Sequence, residues 1–384
     1  MFVERLALVN FRNYLKAEVN FSPKTNLIFG LNAKGKTNIL EAIYLLCLGR
    51  SFRTANNQEL ITSGDSFFLI EGNVVLECGI NKNVVIHFKE GKKEIAIDHK
   101  RLTSHSEIFG NFPIVVFSPE HYRITSGGPA ERRRFLDLLL SQVSIKYLRH
   151  LQEYVRILKQ RNKILQQMRE GLPIREATLE PWTENLVKVG SKIIEERCRF
   201  IDDFSSIINP TYREVTKSKD KLEVAIESSV VLNEKRRHEE NFETSLLKVK
   251  NRERALGMSL VGPHRDDIVF KINGLDLRKF GSRGEHKSVL ISIKIAEFKF
   301  ISQKKEETPI FLLDDYYSEL DNLREEKFFY LLDGLGQIFL TSPKEEVFAR
   351  HFHSSVGENE VSCFFIESGG IETKATGAPE QHNF

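Results

Sequence analysis

Gly30-Leu31-Asn32-Ala33-Lys34-Gly35-Lys36-Thr37-Asn38 is the stretch on which the fold turns. A glycine, four free positions and then Gly-Lys-Thr is the pattern of a loop that wraps phosphates. The setting agrees with the letters. Thr25-Asn26-Leu27-Ile28-Phe29 has the apolar run of a short buried strand, and Lys36 onward, through Ile39, Leu40 and Ile43, has helical spacing. A strand, a tight loop and a helix start make an anion site, because the first N–H groups of a helix lack internal partners and the helix dipole favours negative charge there. Glycine at 30 and 35 lets the backbone come close enough to donate those bonds. Leu31, Asn32, Ala33, Lys34 and Asn38 complete the cradle. The Lys36 ammonium reaches the β- and γ-phosphates of ATP, and the Thr37 hydroxyl is a ligand for Mg²⁺.

Two further stretches fit the same chemistry. Pro309-Ile310-Phe311-Leu312-Leu313-Asp314-Asp315 reads as an apolar strand ending in two acids. In that arrangement Asp314 holds Mg²⁺ and Asp315 orients or deprotonates the attacking water. Phe280-Gly281-Ser282-Arg283-Gly284-Glu285 opens a second helix whose free N–H groups offer another phosphate position. The P-loop already holds the β-phosphate of its own nucleotide. A second serine-glycine helix start is therefore most useful against the γ-phosphate of another subunit, so Ser282 and Gly284 are expected to act in trans.

With 384 residues the chain is too long for one simple core. Its 41% hydrophobic and 28% charged residues are ordinary for a globular protein, and a net charge of +3 does not by itself argue a nucleic-acid partner. Cys47, Cys78, Cys198 and Cys363 are far apart, which fits buried thiols in a reducing cytoplasm better than disulfides or a zinc site. No apolar run approaches the roughly 20 residues that span a bilayer. The expectation is a cytoplasmic protein without a membrane partner.

Along the chain, Leu6 and Leu8 alternate in one strand, and Leu15, Ala17, Val19 and Phe21 in the next, with Phe11-Arg12-Asn13-Tyr14 as the turn. Strand-like segments follow near 67–76, 84–88, 95–97 and 112–117. At Ser118-Pro119 the pattern becomes helical. Pro129 suits a first helical position, Tyr147, Leu148, Leu151, Tyr154, Val155 and Leu158 share helical spacing, and a further helix is expected from about Trp182 to Pro210 and another from Glu239 to Leu256. From Met258 strands return, with Asn273-Gly274 as a hairpin turn, a helix from Gly284 to about Ile301, and strands at 310–313, 337–341 and, last, 361–366. The predicted fold is α/β: a P-loop ATPase head split into 1–117 and 258–366, interrupted by a mostly helical arm over 118–257, with 367–384 a loose tail.

At this point the chain resembles the RecF recombination proteins, within the wider group of chromosome-maintenance and Rad50-like ABC-type ATPases. The resemblance rests on Phe11-Arg12-Asn13-Tyr14, the P-loop, Leu40-Glu41-Ala42-Ile43, Gly49-Arg50-Ser51-Phe52-Arg53-Thr54, Gly128-Pro129 with Arg132-Arg133-Arg134-Phe135-Leu136-Asp137, Gly262-Pro263-His264-Arg265-Asp266-Asp267, and Leu313-Asp314-Asp315 with Ser318-Glu319-Leu320-Asp321. It implies a head dimer that closes on two ATPs, slow DNA-stimulated hydrolysis, and binding of double-stranded, gapped or junction DNA. It also implies that the protein works with RecR and RecO to load RecA onto strands covered by single-strand binding protein. It places Arg12 beside the nucleotide and Asp321 at the dimer seam. The family reads Ser-Gln-Gly-Gln-Gln-Arg where this chain has Ser282-Arg283-Gly284-Glu285-His286-Lys287, and an aliphatic-Phe pair where it has Tyr316-Tyr317. Glu285 thus adds a negative charge beside an expected anion.

Charge is unevenly spread. Residues 118–257 hold 27 basic and 21 acidic side chains, whereas the remainder holds 29 and 32. A basic arm suits contact with phosphates and needs no base readout. Arg149, Arg156, Lys159 and Lys163 are the candidate DNA contacts, with Arg132, Arg133 and Arg134 facing the head or a protein partner as the other option. A transporter's nucleotide-binding subunit would leave the basic arm without a purpose. A purely structural DNA-binding module would not need Lys36, Thr37, Asp314 and Asp315.

Overall fold

The computed structural model describes residues 1–233, 235–315, 328, 330–332, 334–343, 361–367 and 369–374. Chain contacts divide into two compact units, one made of Met1–His121 with Glu297–Phe384 and the other of Tyr122–Ala296.

The first unit begins with β1 (Phe2–Phe11), β2 (Tyr14–Asn20), β3 (Thr25–Phe29), α1 (Lys36–Leu48), β4 (Phe67–Val75), β5 (Asn81–Lys89), β6 (Lys92–Ile97), β7 (Lys100–Arg101) and β8 (Ile114–Phe117). Leu6 and Leu8 of β1, Val19 of β2 and Phe21 just after it are buried as the alternation predicts, while Leu15 is exposed. Six of these strands form an antiparallel sheet in the order β2-β1-β4-β5-β6-β7. Its ladder shifts register between Val3 and Arg5. Gln337 bridges that irregularity: the Val3 N–H donates to its Oε1 at 2.7 Å, and its Nε2 donates to the carbonyls of Val3 and Ser22 at 2.8 and 2.7 Å. The apolar α1 is buried along nearly its whole length, as a helix hydrophobic on every side must be. It packs on β4 and β5 of this sheet and on β8 of the second one.

The second unit holds α2 (Tyr122–Ser126), α3 (Pro129–Val143), α4 (Ile145–Arg169), α5 (Glu176–Thr216), β9 (Leu222–Glu227), α6 (His238–Leu256), β10 (Asp267–Ile272), β11 (Leu275–Asp276), α7 (Leu277–Phe280) and the start of α8 (Arg283–Lys304), inside which the division falls. At ~1.5 Å per residue α4 spans about 37 Å and α5 about 61 Å. Buried arginines join the helices of this unit. Arg197 is 2% exposed and donates to Asp137, Asp266, the Tyr147 hydroxyl and the Pro263 carbonyl. Arg161 donates to Glu253 at 2.6 Å and to Ser259 at 2.7 Å.

Back in the first unit, β12 (Ile310–Leu313), β13 (Ile338–Ser342), β14 (Val361–Glu367) and β15 (Gly370–Lys374) join β3 and β8 in the order β15-β14-β3-β13-β12-β8. All its pairings are parallel except β14 with β15. The sheet is mostly parallel and carries the P-loop sequence directly after β3, in agreement with the α/β head predicted from the sequence. Among the described residues no helix is long and apolar enough to cross a membrane.

Four further expectations change. The return from the inserted region does not come at 258, because β9 pairs antiparallel with β10 and the unit extends to Ala296. Pro210 does not end its helix: α5 starts earlier, at Glu176, and continues to Thr216, since Thr211, Tyr212 and Val215 carry its buried face onward and offset the lost backbone bond. Val155 stands exposed instead of in the apolar stripe. The strand at 361–366 is not the last, because residues 370–374 pair back onto it. The tail beyond 374, Tyr316-Tyr317 and Ser318-Glu319-Leu320-Asp321 lie outside the described residues.

Candidate active site

Three parallel strands deliver the site. Register pairs Phe29 with Ser342 and Leu313 with Leu340, so the P-loop after β3, Thr341 of β13 and Asp314 after β12 leave the sheet side by side at its carboxyl edge. Open α/β sheets bind their ligands at that edge.

The P-loop backbone takes the shape that its glycines permit. Gly30 has φ 147° and Gly35 φ 119°. A Cβ on Gly30 would strike the Ile366 carbonyl, and one on Gly35 would come within 2.6 Å of the Asn13 amide and 2.8 Å of the Tyr14 hydroxyl. The β1–β2 turn braces the loop from behind. Asn13 Nδ2 donates to the Lys34 carbonyl at 2.8 Å, the Tyr14 hydroxyl to the Gly35 carbonyl at 3.1 Å, and Asn38 Nδ2 to Asn13 Oδ1 at 2.8 Å. Gly35 caps α1 without a side-chain bond; the Asn38 and Ile39 N–H groups donate to its carbonyl at 2.9 and 3.3 Å, and the N–H groups of Lys36 and Thr37 before them are the ones placed for an anion. Lys36 is buried and donates to the Gly30 and Leu31 carbonyls at 2.9 and 3.2 Å and to Asn32 Oδ1 at 3.4 Å. Burial holds its ammonium below the usual lysine range, opposed by the charges of Asp315 and Asp314. Leu31, Asn32 and Ala33 are exposed at the loop's tip.

Asp314 is 7% exposed. Its Oδ1 accepts from Thr37 Oγ1 at 2.8 Å and from Thr341 Oγ1 at 2.9 Å. Burial raises its pKa despite both bonds. Thr341 Oγ1 also accepts from the Asp315 N–H at 3.0 Å, and Asp315 has φ 40°. A divalent cation fits here, since Thr37 and Asp314 offer oxygen donors and the buried carboxylate gains from a positive neighbour. Among the described residues no group of three or more His, Cys, Asp or Glu is placed to hold a metal ion.

Glu41 organises the flank. It is fully buried on α1 and accepts from Arg12 at 2.8 and 2.7 Å, from Ser51 at 2.5 Å and from Arg53 at 3.1 Å. Arg53 also donates to Asn38 Oδ1 at 2.9 Å. Arg12 is therefore anchored to the P-loop helix and, through the Glu59 carbonyl at 2.8 Å, to the following loop.

The structure thus gathers Lys36, Thr37, Asn38, Asp314 and Asp315, whereas Ser282 and Gly284 belong to the other compact unit, at the start of α8. Sequence reasoning gave no role to Thr341, Glu41 or Asn13. Thr341 had one available signal, a polar residue ending an apolar strand. Arg149, Arg156, Lys159 and Lys163 are all exposed, at spacings that set them on one face of α4. Arg132 is buried in a two-pronged pair with Asp267 at 2.7 and 2.8 Å, and Arg133 donates to the Asp266 carbonyl, so both serve the unit's interior.

Residues 2–362 match the RecF/RecN/SMC N-terminal domain family. The DNA replication and repair protein RecF of Lachnoclostridium phytofermentans is 38% identical over 347 residues, covering 90% of this chain and 94% of the relative. A solved structure of the recombination mediator protein RecF with ATP, described as acting in the RecFOR pathway, superposes with a TM-score of 0.87 at 32% identity, over 97% of this chain and 98% of that one. An SMC head bound to the winged-helix domain of ScpA superposes at 0.54 with 15% identity, a likeness of fold alone.

Proposed function

The chain belongs to the RecF proteins of the RecF/RecN/SMC N-terminal domain family, and on that premise we propose that it is an ATP-switched DNA clamp of slow turnover. Its coarser role follows from the family: an ATP-binding ABC-type ATPase of DNA replication, repair and recombination, with a place in the RecFOR pathway. The observation that carries the proposal is the Thr37–Asp314 hydrogen bond at 2.8 Å, which joins the P-loop to the acidic strand end.

In the proposed cycle Lys36 exchanges the Gly30 and Leu31 carbonyls for the β- and γ-phosphates, and the N–H groups from Gly35 to Thr37 donate to the same anion. Thr37 and Asp314 hold Mg²⁺, which supplies neutralising charge to the phosphates. Asp315, its backbone fixed by Thr341, accepts the proton of the attacking water. Arg12 lies beside the nucleotide, held by Glu41. Ser282 and Gly284 receive the γ-phosphate of a second copy, so that ATP closes a homodimer, and the exposed cations of α4 then meet duplex or gapped DNA. With RecO and RecR the clamp would help RecA onto strands coated by single-strand binding protein. Radiolabelled ATP turnover with and without double-stranded DNA tests the reading. Slow turnover that rises with DNA is expected, and absence of both ATP binding and turnover would refute it.

A further inference from the structure

The start of α8 is already occupied by the chain's own carboxylate. The Ser282 N–H donates to Glu285 Oε2 at 2.7 Å, and the Glu285 N–H donates back to Ser282 Oγ at 3.2 Å. This is a reciprocal capping box, in which an acid three residues into the helix satisfies the N–H groups at its start. His286, the next residue along α8, is 6% exposed and its ring lies against that of Tyr122, with centroids 5.7 Å apart. A Cβ on Gly281 would come within 3.3 Å of its Nε2, and its Nδ1 has no hydrogen-bond partner among the described residues. Ser282 itself is exposed beside Phe280, which is 68% exposed. The helix start therefore combines an outward-facing serine, a buried ring nitrogen without a partner and an anion held in place from within.

We infer that Glu285 is an internal competitor for the phosphate position at Ser282, and that its charge sets the ATP concentration at which two copies pair. The inference rests on the trans-site reading given above. Its physics is a choice between two anions. A γ-phosphate arriving at Ser282 meets an N–H already bonded to a carboxylate and a negative charge within a few ångströms, so either Glu285 swings out or both charges crowd one helix start. Each alternative weakens capture of the partner's nucleotide. Capture is not abolished, because the Ser282 proton remains available for donation while its oxygen accepts from Glu285. Glu285 touches no nucleotide in this account and acts by occupying the Ser282 N–H.

Glu285→Gln separates charge from capping, because glutamine also closes a capping box. Sedimentation of the full-length protein across an ATP series is the readout, with Ser282→Arg as the companion variant. Pairing of Glu285→Gln at about tenfold lower ATP, with ATP affinity of the single copy unchanged, is expected. An unchanged midpoint for Glu285→Gln, while Ser282→Arg fails to pair, would overturn the competitor role and leave the trans site standing. Normal pairing by Ser282→Arg would overturn both. Glu285→Ala, which loses charge and cap together, serves as the check on folding: pairing at or below the Glu285→Gln midpoint supports competition, and pairing weaker than wild type by a folded Glu285→Gln protein contradicts it.

Discussion

Thr341→Val removes one hydroxyl from the centre of the site and keeps the β-branched shape of the strand. Thr341 is fully buried, donates to Asp314 at 2.9 Å and accepts from the Asp315 N–H at 3.0 Å. A hydrogen bond to a charged group contributes ~1.5–3 kcal/mol. That loss falls on folding, and its pH dependence has a definite sign. Burial raises the pKa of Asp314 above its unfolded value. The carboxylate therefore works against stability once pH rises through the folded pKa, and contributes nothing of the kind below the unfolded one. Without the Thr341 bond the folded pKa climbs further. The variant's deficit should be small in acid and reach about 1.5–3 kcal/mol at neutral pH. In catalysis the freed Asp315 backbone loses its alignment, and a loss of ~1.4 kcal/mol in the transition state lowers kcat about tenfold. Urea denaturation at two pH values, together with ATP turnover at saturating ATP, measures both effects, with Thr341→Ser as the control that keeps the hydroxyl. Neutral-pH stability and kcat both equal to wild type would refute the role given to Thr341.

Lys36→Ala should abolish ATP binding, read by fluorescent nucleotide titration, because the phosphates lose their main side-chain cation; unchanged affinity would contradict the P-loop assignment. Asp315→Asn should bind ATP normally and turn it over at least ~100-fold more slowly, the usual range for a lost general base, and normal single-turnover hydrolysis would remove it from that role. Changing Arg149, Arg156, Lys159 and Lys163 together to Glu should flatten the logarithmic salt dependence of DNA binding by about 3 to 4, near 0.9 per lost phosphate contact, and an unaltered slope would move the DNA surface elsewhere. Arg161→Leu should cost ~3–5 kcal/mol in denaturant unfolding, because Glu253, 1% exposed, is left as an unpaired buried charge. Adding Glu253→Leu should recover part of it.

The P-loop and the acidic strand were legible because each is local. A few consecutive residues fix a strand, a turn and a helix start, and Gly30, Gly35 and Lys36 carry their meaning in their own backbone and charge. Thr341 was not legible, since its partner is set by the parallel register of β12 with β13, whose strands are 25 residues apart from Leu313 to Ile338 and whose alignment no local pattern encodes. Pro210 misled because propensity counts only the lost backbone bond, while the buried side chains after it belong to tertiary packing. The boundary at 258 failed for a similar reason: β9 reads as an isolated strand until β10, some 40 residues on, supplies its partner. Among the basic residues, composition did not separate Arg132 and Arg161, themselves buried against Asp267 and Glu253, from Arg149 and Lys163, which face solvent. Ser282-x-x-Glu285 carried its capping signal openly, yet as sequence it read as a charge misplaced in an anion site.

The central claim is a composite site made by two copies, and mixing two crippled variants tests it most directly. Lys36→Ala keeps the Ser282 helix start and loses the P-loop; Ser282→Arg keeps the P-loop and fills the space for the partner's γ-phosphate. The measurement is sedimentation with ATP, alongside turnover, for each variant alone and for the equimolar mixture. The account predicts that neither variant pairs alone and that the mixture regains ATP-dependent pairing through one working interface per heterodimer. Pairing of Ser282→Arg alone at the wild-type ATP concentration would contradict it.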